Sequence, residues 1–307
     1  MNIESKFISK PFKEFKKFHI ELNKYVKVST CSIDYLRQST DDKDELNTTI
    51  SILFTTSGER WLSTKYAKPF DELNLIKSQL SQSSIMWVFS SFEVFLNLVY
   101  SSYSEAIQNK ERPERTEQTE SIRLKELFER FNWDLKEIEY LIPVFDFYGL
   151  TRHCIVHNMG TTSEELKKLR FSEEFNNAIE NWPTVIKGRK LSSPPEIDSN
   201  RKIILTSHHP ITYSDICYRI SKVVNQNIYK TLGIEYFILK TVKETIIDRT
   251  ELFQPSCKDV YAYINYQLKN EYNIPTIENP KLRQALEAKS IRKKVVAKYG
   301  NLKKKIE

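Results

Sequence analysis

Residues 70–108, FDELNLIKSQLSQSSIMWVFSSFEVFLNLVYSSYSEAIQ, decide the fold class. Leu73, Ile76, Leu80, Ile85, Val88, Phe92, Phe95, Leu96 and Val99 recur there at helical intervals, the pattern of one apolar stripe on a 3.6-residue period. A strand would alternate every second residue and would not run this long. The stretch therefore predicts one long helix. Six glycines in 307 residues leave little material for the tight turns of a β fold, whereas the abundant Lys, Glu and Leu favour helix.

Similar patterns continue on both sides. Upstream, Phe12, Phe15, Phe18 and Leu22 within residues 6–28 make an amphipathic helix, with packing on the body or lying on a membrane surface as its alternatives. Residues 38–48 (QSTDDKDELNT) read as a polar loop; their acidic residues lack the glycine and the spacing of a calcium loop. Downstream, the charged segment 109–120 with Pro113 reads as an exposed loop, and Ser121 to Phe131 as a short helix. Asn132 or Asp134 is placed to cap the next helix. Pro143 either kinks that helix or opens a new one, and Gly160 stands just past its end. Helices are expected at 163–182, 212–232 and 234–248, a loop at 188–200, and one strand at Lys202–Thr206 (KIILT). The sum is a mainly α bundle with a minor β element.

Charge is unevenly spread. Of the net +7, residues 281–307 supply +8, ten basic side chains against Glu287 and Glu307, which leaves the rest at −1. Arg292, Lys293, Lys294, Lys298, Lys303, Lys304 and Lys305 are therefore candidate contacts for a polyanion such as RNA; a solvated helix end has the same composition. Cys31, Cys154, Cys217 and Cys257 are too scattered for a C-x-x-C zinc site. The polar N-terminus lacks the apolar centre of a secretory signal, and no apolar run reaches a membrane-span length, so a cytoplasmic protein without a membrane partner is expected. The four tryptophans, Trp61, Trp87, Trp133 and Trp182, are expected as core anchors, with base stacking as the alternative. No phosphate-binding glycine loop, dinucleotide fingerprint or nucleophile elbow is present.

The chemistry-bearing stretch is Arg152-His153-Cys154-Ile155-Val156-His157-Asn158. His153 and His157 are four apart and project from one helix face, with Arg152 adjacent. An imidazole can take the proton of a ribose 2′-hydroxyl. A guanidinium can stabilise the charge that then grows on the phosphate oxygens. DNA, lacking that hydroxyl, would resist. A packing pair is the plainer reading of the two histidines. A metal pair would need a third ligand that is not nearby. His208-His209-Pro210 reads as a capping turn after the strand.

The order Arg152, polar His153, three residues, His157, then Asn158-Met159-Gly160, resembles the motif of the HEPN (higher eukaryotes and prokaryotes nucleotide-binding) superfamily. Ser91–Asn97, with Glu93, resembles that family's long first core helix, and the KIILT strand followed by a helix fits some of its variants. The resemblance covers roughly residues 70–232 and is specific in about ten of them. It implies an antiparallel four-helix bundle over 66–235, with helical extensions at 1–65 and 236–307. It implies a homodimer whose two motifs face each other, and metal-independent RNA cleavage without a cofactor. Such activity belongs to toxin–antitoxin or abortive-infection defence, with an antitoxin or defence-complex partner. His157 would be the general base or acid, Arg152 would hold the scissile phosphate, His153 and Asn158 would support the site, and Glu93 would orient one of these groups. A HEPN-like module that binds RNA, a nucleotide or a protein without cutting is the alternative.

Overall fold

The computed structural model describes residues 3–58, 61, 65–107, 120–185 and 191–306. The protein is mainly α. The expected loop at 109–120 falls outside these residues except at its last position, as does the start of the one at 188–200.

The helix read from residues 70–108 is α3, Pro69–Tyr103. Pro69 at its start needs no N–H partner, and Asp71 and Glu72 sit in its first turn, where the helix dipole favours acids. Leu73, Ile85, Val88, Phe92, Phe95 and Val99 are buried, but Ile76 is exposed. By length and composition α3 would also suffice to cross a membrane; its interrupting Ser, Gln and Glu break the continuous apolar run that such a span usually shows. Its buried face packs inside this protein.

Helix α1 (Lys10–Gln38) opens on the Ser9 side chain, which accepts from the N–H of Phe12. It runs ten residues past the expected end. The expected loop at 38–48 is shorter than its composition implied. Asp42 caps α2 (Lys43–Thr56), its carboxylate accepting from the N–H groups of Asp44 at 2.9 Å and Glu45 at 2.8 Å. Acidic residues there start a helix instead of prolonging a loop.

After α4 (Glu120–Arg130), Asn132 leaves the helix with φ 52°, and Asp134 caps a 3-10 turn. Pro143 opens a new helix, α5 (Ile142–His157). The helix expected at 163–182 is two, α6 (Glu164–Arg170) and α7 (Glu173–Val185), because the Ser172 hydroxyl accepts from the Phe175 N–H and restarts the chain. Strands β1 (Glu196–Ile197) and β2 (Ile203–Ile204) pair antiparallel. Helix α8 (His208–Val242) then joins the two expected helices across a break at Gly233, whose φ of 69° and ψ of 173° are not helical. A π-helical turn (Lys243–Ile247) and α9 (Val260–Tyr272) come next.

Four helices meet at one aromatic chain. Phe15 of α1 touches Phe92 of α3 edge-on (centroids 5.6 Å apart), Phe92 touches Phe145 of α5 (5.4 Å), and Phe145 touches Tyr213 of α8 (6.0 Å). The pairs also fix directions. Phe15 meets Phe92, whereas Asp34 meets Lys77 at 2.7 Å, so α1 and α3 are antiparallel. Ser9 reaches Asn225 and His19 reaches Ser214, so α1 is antiparallel to α8 too. Phe145 lies on Phe92 and Arg152 on Phe89, which sets α5 against α3. Helix α1 thus takes a place beside the central helices. The basic C-terminal stretch is folded as α10 (Asn279–Ala288) and α11 (Arg292–Lys304). Leu282, Leu286, Val295, Tyr299 and Leu302 are buried in the same apolar cluster.

Candidate functional site

Helix α5 buries Val144, Phe145, Phe147, Tyr148, Thr151 and Cys154 against the bundle. That orientation turns positions 153, 156 and 157 outward. The helix stops because Asn158 donates its N–H to the Cys154 carbonyl at 3.0 Å and Gly160 donates to the same oxygen at 2.9 Å. Met159 and Gly160 take φ of 50° and 77°, left-handed conformations that satisfy orphan carbonyls at a helix end. Cys154 is wholly buried, and its Sγ accepts from the Ser163 N–H at 3.3 Å. This thiol holds α6 to the end of α5 and is not displayed.

His153 and His157 are both exposed, with ring centroids 4.6 Å apart and planes inclined at 40°. Among the described residues, neither imidazole has a hydrogen-bond partner. Arg152 is half-buried, its guanidinium carbon 4.0 Å from the centroid of the Phe89 ring on α3. Stacking of this kind removes rotamer freedom from the guanidinium while leaving its in-plane N–H donors open. Arg152 is thus held on the α3 side of the histidine pair. Glu93 is half-buried one turn beyond Phe89 on the same side of α3. Asn158 is exposed, and its backbone closes the helix.

Sequence reading passed over two neighbours. Phe89 is the shelf under Arg152. Lys202 extends its ammonium to the Met159 carbonyl and the Thr161 hydroxyl, both at 2.9 Å. A cation is thereby fixed at the C-terminal end of α5, where the helix dipole favours it, two residues past His157. The hairpin carrying Lys202 is stapled down by Ile203 N–H to Gly160 O (3.0 Å) and Thr162 N–H to Arg201 O (2.9 Å). The two-residue period of a strand puts Lys202 outward with Ile204, since Ile203 and Leu205 are buried. That the hairpin would pair with residues 160–162 had no local signal.

His209 is a buried tie in the first turn of α8, which has no side-chain cap. Its Nδ1 accepts from the Thr206 N–H at 2.8 Å, so Nε2 carries the proton and donates to the Ser193 carbonyl at 3.0 Å. Burial above all lowers its pKa, with His208 adding to the effect. His19, stacked on Tyr218 and 2.8 Å from the Ser214 hydroxyl, is also lowered mainly by burial. The unfolded chain therefore binds more protons than the folded one once pH falls below about 6.5, the ordinary histidine value, and stability drops on acidification through that window. Melting at pH 7.5 and pH 5.5 should show a fall that is smaller in His209→Asn, whose amide oxygen replaces the Nδ1 acceptor. An equal fall in both proteins would show that His209 plays no part in it.

The basic side chains at 292–305 differ among themselves. Arg292 is committed to the Tyr261 hydroxyl (3.1 Å) and Glu287 (3.0 Å), and Lys303 reaches the Cys257 carbonyl at 3.4 Å. Lys293, Lys294, Lys304 and Lys305 are exposed, and Lys298 is half-buried. Of the tryptophans, only Trp182 is buried. Trp133 is half-buried and donates to the Thr231 hydroxyl at 2.8 Å. Trp61 and Trp87 are exposed, Trp87 because it lies on the outward side of α3. The chain matches no protein-family model, no curated protein and no solved structure.

Proposed function

We propose that this protein is a metal-independent endoribonuclease of HEPN type that acts in antiphage defence or as a toxin. The observation that carries the reading is the exposed His153–His157 pair at a capped helix end, beside an arginine preset on an aromatic ring. Residues 142–160 carry the groups that 2′-hydroxyl attack needs, two imidazoles and a guanidinium on one helix. His157 takes the 2′ proton, the 2′-oxygen bonds to phosphorus, and Arg152 bears the charge on the non-bridging oxygens. The P–O5′ bond then breaks, and a protonated imidazole supplies the leaving oxygen with its proton. The products are a 2′,3′-cyclic phosphate and a 5′-hydroxyl. The antiparallel meeting of α1, α3, α5 and α8 supports a HEPN-like bundle, in which α1 takes a position outside the stretch of resemblance.

The bare imidazoles favour a second element. A general base is normally oriented by a partner group, and among the described residues neither ring has a hydrogen-bond partner. A homodimer in which two motifs face each other would supply it, as would an antitoxin or another defence subunit. Without such a partner, the protein would act as an RNA-, nucleotide- or protein-binding module.

The test is incubation of purified protein with RNA and with DNA of the same sequence, in EDTA, beside sedimentation of the protein. Cleavage of RNA alone that persists in EDTA and leaves 2′,3′-cyclic ends is expected. Loss of cleavage on chelation, or equal cutting of DNA, would exclude the mechanism.

A further inference from the structure

The inner face of α1, with Phe12, Phe15, Leu22 and Val26, is buried in the core. Its outer face carries Lys13, Lys16, Lys17 and Lys24, which with Ile20 and Glu21 line a shallow cavity of about 290 Å³. Lys13 and Lys24 are roughly 16 Å apart along the axis, at 1.5 Å per residue. Glu21 is the only acid in that lining, and it reaches Lys17 at 3.9 Å. The chain outside residues 281–307 has a net charge of −1. The ridge is therefore a local concentration of charge and does not follow from composition.

Beside Lys24 stands an exposed aromatic pair. The rings of Tyr25 and Trp87 are 5.2 Å apart, with 42% and 47% of their residue surfaces open to solvent. Proteins that hold single strands without reading sequence combine these two elements, a basic groove for the backbone and aromatic faces for the bases. Position favours the same occupant. Trp87 is two residues from Phe89, the ring under Arg152. At about 100° per residue the two lie roughly 200° apart around α3. The outer arc between them carries Ser90 and Val94, which are exposed and uncharged, and the half-buried Glu93 one turn from Phe89. Insertion of α1 into a membrane surface is disfavoured, because its apolar face is already buried.

We propose that the α1 lysine ridge and the Tyr25–Trp87 pair bind single-stranded RNA and lead it across α3 towards Arg152. The choice of RNA rests on the ribonuclease reading. Binding is therefore measured on His157→Ala protein, apart from any cleavage, by anisotropy of a labelled oligouridylate of about twelve nucleotides. Lys13→Glu/Lys17→Glu/Lys24→Glu should weaken binding at least tenfold near 0.1 M salt. It should also flatten the slope of log affinity against log salt by about 2, at roughly 0.7 per phosphate contact on a single strand. Trp87→Ala should weaken binding by about 5- to 160-fold, the range for one stacked base, and Trp87→Phe should recover most of it. Melting curves check folding, and the Lys→Gln triple variant replaces the charge reversal if that one unfolds. Unchanged affinity in these variants overturns the track. So does wild-type binding to vesicles of acidic phospholipid with none to the oligonucleotide. Loss of binding in the variants upholds the track even where the wild-type protein cuts nothing, in which case the cleavage reading alone fails.

Discussion

Phe92→Ala is expected to destabilise the protein by about 3–5 kcal/mol, the range for emptying a fully buried phenylalanine site. Phe92 is wholly buried and touches Phe15, Phe95 and Phe145, at 5.6, 5.7 and 5.4 Å between centroids. Those partners come from α1, α3 and α5, and none can fill the void without leaving its own helix. At about 2.1 cal/mol/K of unfolding entropy per residue, the melting temperature should fall by roughly 5–8 °C. Val94 lies two residues on, on the opposite face, and is 55% exposed. Val94→Ala should therefore stay within about 0.5 kcal/mol of wild type. Urea unfolding of both variants measures the difference directly. Equal effects would mean that the face of α3 assigned to the core is wrong.

The same contrast explains what could be read from the sequence. Phe92 and Val94 belong to a pattern that repeats every three to four residues, so the inner face of α3 is legible without knowing what it meets. Pro143 and Gly160 are legible for a similar reason, since each restricts or frees its own backbone. Where a local cue has two meanings, spacing alone does not choose between them. Asp41, Asp42, Asp44 and Glu45 read as a loop, yet Asp42 is a cap with acids in the first turn behind it. The lysines after residue 281 left open a solvated helix end, while the buried Leu282, Leu286, Val295, Tyr299 and Leu302 beneath them carry two packed helices. At the candidate site the juxtaposition of His153 and His157 was readable because both lie on one helix. Phe89 and Lys202 were not, because they arrive from α3 and from the hairpin. Spacing fixes neighbours within an element, and only packing decides which elements meet.

Under the proposed function, His157→Ala should lower the RNA-cleavage rate by about 10²- to 10⁴-fold, the usual contribution of a positioned acid or base. Arg152→Ala should lower it by about 10²- to 10³-fold, as removal of one group that bears transition-state charge does elsewhere. The more discriminating variant is Arg152→Lys. Lysine keeps the charge but loses the planar fork and the face that stacks on Phe89. It should therefore fall near the alanine variant in kcat. If charge alone mattered, it would fall near wild type. Phe89→Ala leaves the guanidinium intact and removes only its shelf. Cation–π contacts are worth about 0.5–2 kcal/mol, so the loss should be roughly 2- to 30-fold, and Phe89 would be a positioning residue. That loss should appear in kcat, because it arises from guanidinium freedom at the moment of reaction. A pure rise in KM would place Phe89 in substrate binding instead. Effects of groups that act as a unit are strongly non-additive, so Arg152→Ala/His157→Ala should be little worse than His157→Ala. Cleavage within threefold of wild type in His157→Ala would remove the imidazole from the reaction. The exposed pair at the end of α5 would then be a surface feature of a binding module.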